Sequence, residues 1–422
     1  MSTRRRWTRR RFLLGAGGLA AGAAGAAVAA DAGPERAARP LRAVPLGAQP
    51  GGLPPRQHAW EATLARDSAG NPIAPRFDRL LMFDVIGRPT RGHADRLEAA
   101  LRTLERAYPW SPKGLLFTAG WGPSYFQQLL GLASPIPRAK ALSDFELPSI
   151  DDYHLCLHLA CDDDARLRAI EASLLHGAPL PGARTGPPDQ RHLRITDALV
   201  WRETRTGFVG AGLPATHQQV HGIPTNHPVP RTAPLYMGFK SSFRRNQASE
   251  DAVTIPSGPF AEGTTMHLSY MRLRLDNWYG ELSLRERIAR MFSPQTSPAD
   301  VQRLTDDAPS DPQKLEQAIG RYGVIGHAQT TARARRDGRP LIMRRDFNTT
   351  DGQQAGLHFV ALQRTIADFV TTRNAMNAAA AQLQNPAITD TVNNGINEFI
   401  FVLKRANYII PPRRHRSFPL TA

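Results

Sequence analysis

Residues 153–160 read Tyr153-His154-Leu155-Cys156-Leu157-His158-Leu159-Ala160. Leu155, Leu157 and Leu159 recur with a period of two, which places them on one face of a strand. The patterning continues outward on both sides. Upstream, Leu81, Phe83 and Val85 alternate as a strand would, and Ala94, Leu97, Leu101, Leu104 and Tyr108 fall at helical spacing. Gly114 to Thr118 is a short apolar run that reads as a further strand. Downstream, Leu167, Ile170 and Leu174 mark a second helix, and Arg194 to Trp201 supplies another strand. The order βαββαβ predicts a ferredoxin-like α+β unit.

The second half repeats the style. Thr264 to Leu275 reads as a long strand with Met266, Leu268, Tyr270, Arg272 and Arg274 on one face. Ser283-Leu284-Arg285-Glu286 is a capping box, in which serine and glutamate each satisfy an orphan helix N–H. Residues 293–320 read as a polar loop with one short helix. Pro340 to Arg345 and Gly356 to Gln363 read as strands, Ile366 to Gln382 as a helix, and Glu398 to Ile410 as an apolar run ending at Pro411-Pro412.

The chain has 422 residues, room for one large or two ordinary domains. With 41% hydrophobic and 21% charged residues it is neither disordered nor a coiled coil. Its two cysteines, Cys156 and Cys161, exclude a disulfide scaffold and a four-cysteine zinc site. The formal charge is +16, but six of those positive charges are Arg4, Arg5, Arg6, Arg9, Arg10 and Arg11, so residues 31–422 carry +10. The remaining arginines are dispersed and no basic helix is interleaved with aromatics, which argues against a nucleic-acid partner.

Those arginines precede an apolar stretch, Phe12 to Ala30, that ends in the small-x-small pattern Ala27-Val28-Ala29. Thr8-Arg9-Arg10-Arg11-Phe12-Leu13-Leu14 looks like a twin-arginine export signal. A single membrane span is the competing reading, but the stretch is so rich in Gly and Ala that it would hold weakly in lipid. The expected organisation is a signal at 1–30, a proline-rich arm at 31–76 with Trp60 and Leu64 as its anchors, a ferredoxin-like domain at 77–180, and a second at 181–422. Eight prolines fall within 31–76. The protein is expected outside the cytoplasm (extracellular, periplasmic or on the cell wall), meeting the membrane only during export.

Phosphate-binding, nucleophile-elbow, zinc-protease and dinucleotide motifs are absent. On a strand His154, Cys156 and His158 would share a face, with side chains about 7 Å apart, too far for one small metal; an ordinary semi-exposed face is expected. His327, in Gly326-His327-Ala328-Gln329, is by itself an unremarked histidine. In Leu341-Ile342-Met343-Arg344-Arg345-Asp346 the paired arginines either clamp an anion or mark where the strand meets water.

Taken together these stretches resemble the dye-decolorising (DyP-type) haem peroxidases over most of residues 77–412. The likeness rests on Leu80-Leu81-Met82-Phe83-Asp84, on Phe117-Thr118-Ala119-Gly120-Trp121-Gly122-Pro123-Ser124-Tyr125-Phe126, on Met237-Gly238-Phe239-Lys240, on Trp278-Tyr279 through Phe292, on His327 with Arg344-Arg345, and on Gly356 to Gln363 followed by Phe369-Val370. The resemblance implies two ferredoxin-like domains of the dimeric α+β barrel type. It implies haem b as cofactor, with its iron on His327, Arg345 as the distal arginine, and Leu357 and Phe359 as pocket walls. Hydrogen peroxide and an organic reductant would be the reaction partners, and a homo-oligomer remains open.

One departure matters. The family motif G-x-x-D-G reads Gly238-Phe239-Lys240-Ser241-Ser242 here. Ser241 stands where the family has the aspartate thought to move a proton. A hydroxyl is a poor base, so peroxide cleavage is expected to be weakened unless Glu250, Asp251 or a histidine such as His358 substitutes. The alternatives are a non-catalytic haem carrier on the same fold and a haem-free binding module.

Overall fold

The computed structural model describes residues 52–181, 193–241, 243, 246–303 and 312–419. The signal at 1–30 and Ser242 lie outside the described residues. The first half runs β1 (Phe77–Val85), α1 (Arg91–Ala107), β2 (Leu116–Trp121), β3 (Leu155–Cys161), α2 (Asp164–His176) and β4 (Leu199–Phe208). Its strands pair antiparallel in the order β4-β1-β3-β2. Helix α1 starts where the Thr90 hydroxyl accepts from the His93 N–H at 3.2 Å, and α2 where Asp163 accepts from the Arg166 N–H at 3.2 Å. Each cap satisfies one of the orphan N–H groups of a helix start.

The second half runs β5 (Thr264–Leu273), α3 (Leu284–Met291), α4 (His327–Thr331), β6 (Ile342–Arg344), β7 (Phe347–Thr349), β8 (Gly356–Gln363), α5 (Ile366–Asn377) and β9 (Ile400–Ile410). Here the pairing order is β9-β5-β8-β6, the same order as in the first half. The outer strands of the two halves then meet. β2 pairs with β9, and β7 bridges β4 and β8, so the sheet closes on itself. Closure leaves few unpaired strand edges. The architecture is the expected α+β one of two ferredoxin-like units in a barrel.

Two expectations need correction. The domain boundary at 181 is wrong, because β4 pairs with β1 from Phe77↔Phe208 to Val85↔Leu199. The first unit therefore extends to Phe208. The charged run Arg202-Glu203-Thr204-Arg205 hid most of that strand. The His154, Cys156 and His158 face is buried rather than semi-exposed, since barrel closure turns it inward. His158 Nε2 lies 2.7 Å from Asp78 Oδ1, and Cys156 packs among Met82, Leu268 and Tyr408.

Burial follows the strand period. In β1 and β3, Leu81, Phe83, Leu155, Leu157 and Leu159 face the helices, while Leu80, Met82 and Cys156 face the barrel interior. Each such side chain contributes roughly 1.5–3 kcal/mol on burial. The arm is fixed by Trp60, which is buried against Leu116 and Ala160. Gln57 exchanges hydrogen bonds with the Ala119 backbone, its Oε1 accepting from that N–H at 2.9 Å, and donates to the Pro411 carbonyl at 2.8 Å. The tail after β9 crosses α1, where Arg416 Nε donates to Glu98 Oε2 at 3.1 Å and Arg413 and Arg416 both meet Glu105. Among the described residues no helix is long and apolar enough to cross a membrane.

Candidate functional site

The second half holds an apolar cavity. It lies between the outer face of that sheet and the layer made by α3, α4, α5 and residues 235–241, 243 and 246, with a volume of about 150 Å³. Strand alternation decides which side chains reach it. Met271 and Leu273 come from β5, Leu357 and Phe359 from β8, and Ile400 and Val402 from β9. From α5 the helical series Phe369, Thr372, Arg373 and Met376 completes the wall. Leu357 and Phe359, which the resemblance makes pocket walls, both line this cavity.

His327 opens α4 and lines the cavity. Two glycines let its backbone come close. A Cβ on Gly326 would stand 1.9 Å from the Phe292 carbonyl oxygen, and one on Gly395, at φ +55°, would stand 3.0 Å from the His327 Cα. The His327 imidazole has no hydrogen-bond partner among the described residues. Burial, helped by the charges of Arg344 and Arg373, pushes its pKa down to about 3, so the ring is neutral at pH 7 with a lone pair to offer.

The arm holds a second imidazole that burial keeps neutral. His58 Nε2 lies 2.8 Å from Thr254 Oγ1, and burial, with Arg345 and Arg56 adding to it, lowers its pKa to about 3. A histidine held neutral binds fewer protons folded than unfolded. Its stabilising effect is therefore full above the free value near 6.5 and drains away as pH falls toward 3. The slope is at most about 1.4 kcal/mol per pH unit for each such ring. The urea midpoint of the wild type is expected to fall between pH 6.5 and 4.5, and His58→Gln should flatten that dependence. An equally steep fall in the variant would remove His58 as a cause.

Beside Leu357 and Phe359, on the strand that pairs with theirs and the stretch after it, lies a polar trio. Ile342, Arg344, Asp346 and Asn348 all line the cavity at a spacing of two. Arg344 Nη2 donates to the Ser241 carbonyl at 2.7 Å, and the Ser241 hydroxyl donates to Asp346 Oδ1 at 3.0 Å. Arg344 Nε is buried without a partner. Asp346 is only 7% exposed, and burial raises its pKa, against the opposing pull of Arg344 and the Ser241 bond. Gly238, in left-handed backbone at φ +88°, turns the chain so that Phe239, Lys240 and Ser241 enter the cavity; Gly238 does not line it itself.

Arg345 does not face this cavity. It belongs to the other parity of the strand, with Met343 and Phe347. Its guanidinium lies over the Trp60 ring, 3.7 Å from the centroid, donates to the His58 carbonyl at 2.5 Å and lies 3.6 Å from Glu250. Arg345 therefore pins the arm, and Arg344 is the arginine of the site. The resemblance gave the distal role to the second arginine of the pair, and one residue along a strand is the opposite face.

The suggested substitutes for the motif aspartate are also elsewhere. Glu250 accepts from the Trp60 and Glu61 backbone, Asp251 pairs with Arg56, and His358 bonds Asp351 at 3.0 Å behind Leu357 and Phe359. Arg272 and Arg274 lie against Phe401, away from the cavity. The far end instead carries Arg373 and Arg405. Arg405 donates to Glu146 at 2.8 Å, and Arg373 lies 3.6 Å from the same carboxylate with its Nη2 unpartnered. Two guanidinium groups thus share one buried carboxylate, which leaves net positive charge for an acidic ligand arm. Arg344, Asp346, Arg373 and Arg405 were missed as site residues; extending the alternation from Ile342 would have found the first two.

Residues 75–412 match the model described as a family of unknown function, DUF7405. No curated protein matches the sequence. Among solved structures, the chain is similar to a DyP-type peroxidase from Cellulomonas bogoriensis, at 19% identity over 84% of this chain and 97% of that one, with a TM-score of 0.52. It is also similar to a protein assigned to the DyP-type peroxidases from Shewanella oneidensis, at 16% identity over 82% and 95%, with a TM-score of 0.51. At these identities the likeness establishes the fold.

Proposed function

The chain belongs to DUF7405, a family of unknown function, here on a DyP-type fold, and from that premise we propose that it is an exported haem protein that oxidises organic reductants with hydrogen peroxide. The observation that carries the reading is His327: a neutral imidazole without a partner among the described residues, on the wall of an apolar cavity that also holds a partly unpaired arginine, Arg344.

The residues fit a haem. Neutral imidazole nitrogen suits iron. Phe359, Leu357, Met271, Ile400 and Val402 offer flat apolar contact, and Arg373 and Arg405 would meet the acidic arms of the macrocycle. Bound there, haem would supply the electron-transfer chemistry that the side chains lack. The chain's own part is positional: His327 holds the iron, the apolar walls keep water out, and Arg344 presents its fork of donors to negative charge in the cavity. Export rests on the Arg9-Arg10 signal, which cell fractionation of the full chain tests.

Serine at 241 supports a second reading, a haem carrier without turnover. Full-length protein made with ample haem supply distinguishes the two. A Soret band with peroxide-dependent dye oxidation is expected; a Soret band without turnover would leave the carrier, and no Soret band would end both.

A further inference from the structure

We propose that Asp346 is the acid–base residue of this cavity, with Ser241 as the residue that positions it. The two sites have exchanged roles: the loop position that would carry a carboxylate carries a hydroxyl, and the carboxylate comes instead from the strand two residues beyond Arg344. The inference deepens the peroxidase reading and rests on it.

Geometry carries the argument. Asp346 and Ser241 both line the cavity and are joined by a 3.0 Å hydrogen bond in which the hydroxyl donates. That bond occupies Oδ1, and among the described residues the carboxylate's other donor is its own backbone N–H. Ser241 is fixed twice, by its side chain on Asp346 and by its carbonyl on Arg344. With its proton committed to the carboxylate, the hydroxyl oxygen is left as an acceptor. Among the described residues Arg344 acts on the Asp346 carboxylate through its charge rather than through a direct ion pair. A carboxylate only 7% exposed, on the wall of a cavity that also presents an arginine, is placed where a proton acceptor could act on a small ligand.

The step is a proton transfer. Hydrogen peroxide gives one proton to the Asp346 carboxylate, yielding hydroperoxide anion and carboxylic acid. One O–H bond breaks, one forms, and no electron changes hands. Arg344 faces the anion, and the stored proton is available to the departing oxygen. The charged groups that act on Asp346 are Arg344 on its own strand and Asp78 on β1; Lys240 beside Ser241 and the neutral His327 on α4 line the same cavity. Lys240 is itself engaged, with Nζ 2.5 Å from Asp67.

The test uses the haem-loaded full chain as wild type, Asp346→Asn and Ser241→Ala. Asp346→Asn is expected to slow the reaction with peroxide roughly 10²–10⁴-fold, the usual worth of such a group, with the Soret band intact. A second readout needs no turnover: hydrogen cyanide must also surrender a proton on binding, so its association should slow at least about tenfold in the same variant. Ser241→Ala should move the acid limb of the peroxide pH profile to higher pH, because a donor to the charged form is lost. Asp346→Asn within about threefold of wild type in both readouts, or an unmoved limb in Ser241→Ala, would overturn the proposal while the haem reading stands. A wild type that takes up no haem would overturn both.

Discussion

Arg344→Ala is expected to slow peroxide-driven oxidation by roughly 10²–10³-fold, the loss seen when one preorganised donor is removed from developing negative charge. Haem uptake should be retained, because the guanidinium touches the Ser241 and Asn246 carbonyls and not the His327 ring. Arg345→Ala is the control, one residue away and on the opposite face. It should leave turnover nearly unchanged and cost about 2 kcal/mol of stability, the worth of a desolvated cation–π contact, through loss of the Trp60 stack and the Glu250 pair. Peroxide kinetics and urea midpoints on both variants decide the matter. A reversed pattern, with Arg345 needed for turnover and Arg344 dispensable, would contradict the strand parity that builds the site.

The second large effect concerns the fold. Glu105 on α1 is fully buried between Arg413 and Arg416 of the C-terminal tail, and Arg416 also reaches Glu98. Burial works against the Arg416 charge, but Glu98 and Glu105 outweigh it and raise its pKa; burial dominates at Arg413 and lowers its value to about 10. Glu105→Gln leaves two buried cations with one carboxylate fewer. Breaking a buried pair from one side costs about 3–5 kcal/mol, a large share of a typical domain stability of roughly 5–15 kcal/mol. The guanidinium midpoint should fall accordingly, with the tail protease-sensitive first. A loss under about 1 kcal/mol would place the pair among those that solvent screens.

The legible and illegible parts of the sequence differ for physical reasons. β3 and β8 were plain because one face is apolar and the period is two. β4 was misplaced and cut off from the first unit because both its faces carry polar residues: on the inner face Glu203 and Arg205 pair with Lys404 and Asp151, and on the outer face Arg202 and Thr204 meet Asp84 and Glu171. Buried ion pairs erase the alternation that a sequence reader depends on. The inward turn of His154, Cys156 and His158 depends on barrel closure, which is a non-local event. His327, Leu357, Phe359 and Ser241 were assigned from resemblance, and the cavity brings all four together. Arg345 failed for a local reason: the resemblance gave the distal role to the second arginine of the pair, and strand geometry does not forgive one residue.

The central claim is that this cavity holds haem iron on His327. Its most direct test is a titration of haemin into the haem-free full chain, wild type beside His327→Ala, with and without added imidazole. A saturable Soret band is expected in the wild type, with its loss or marked shift in the variant and its return when imidazole enters the space the side chain has vacated. Identical spectra and affinities in wild type and variant would show that His327 is not the ligand, and the cavity would then need another explanation.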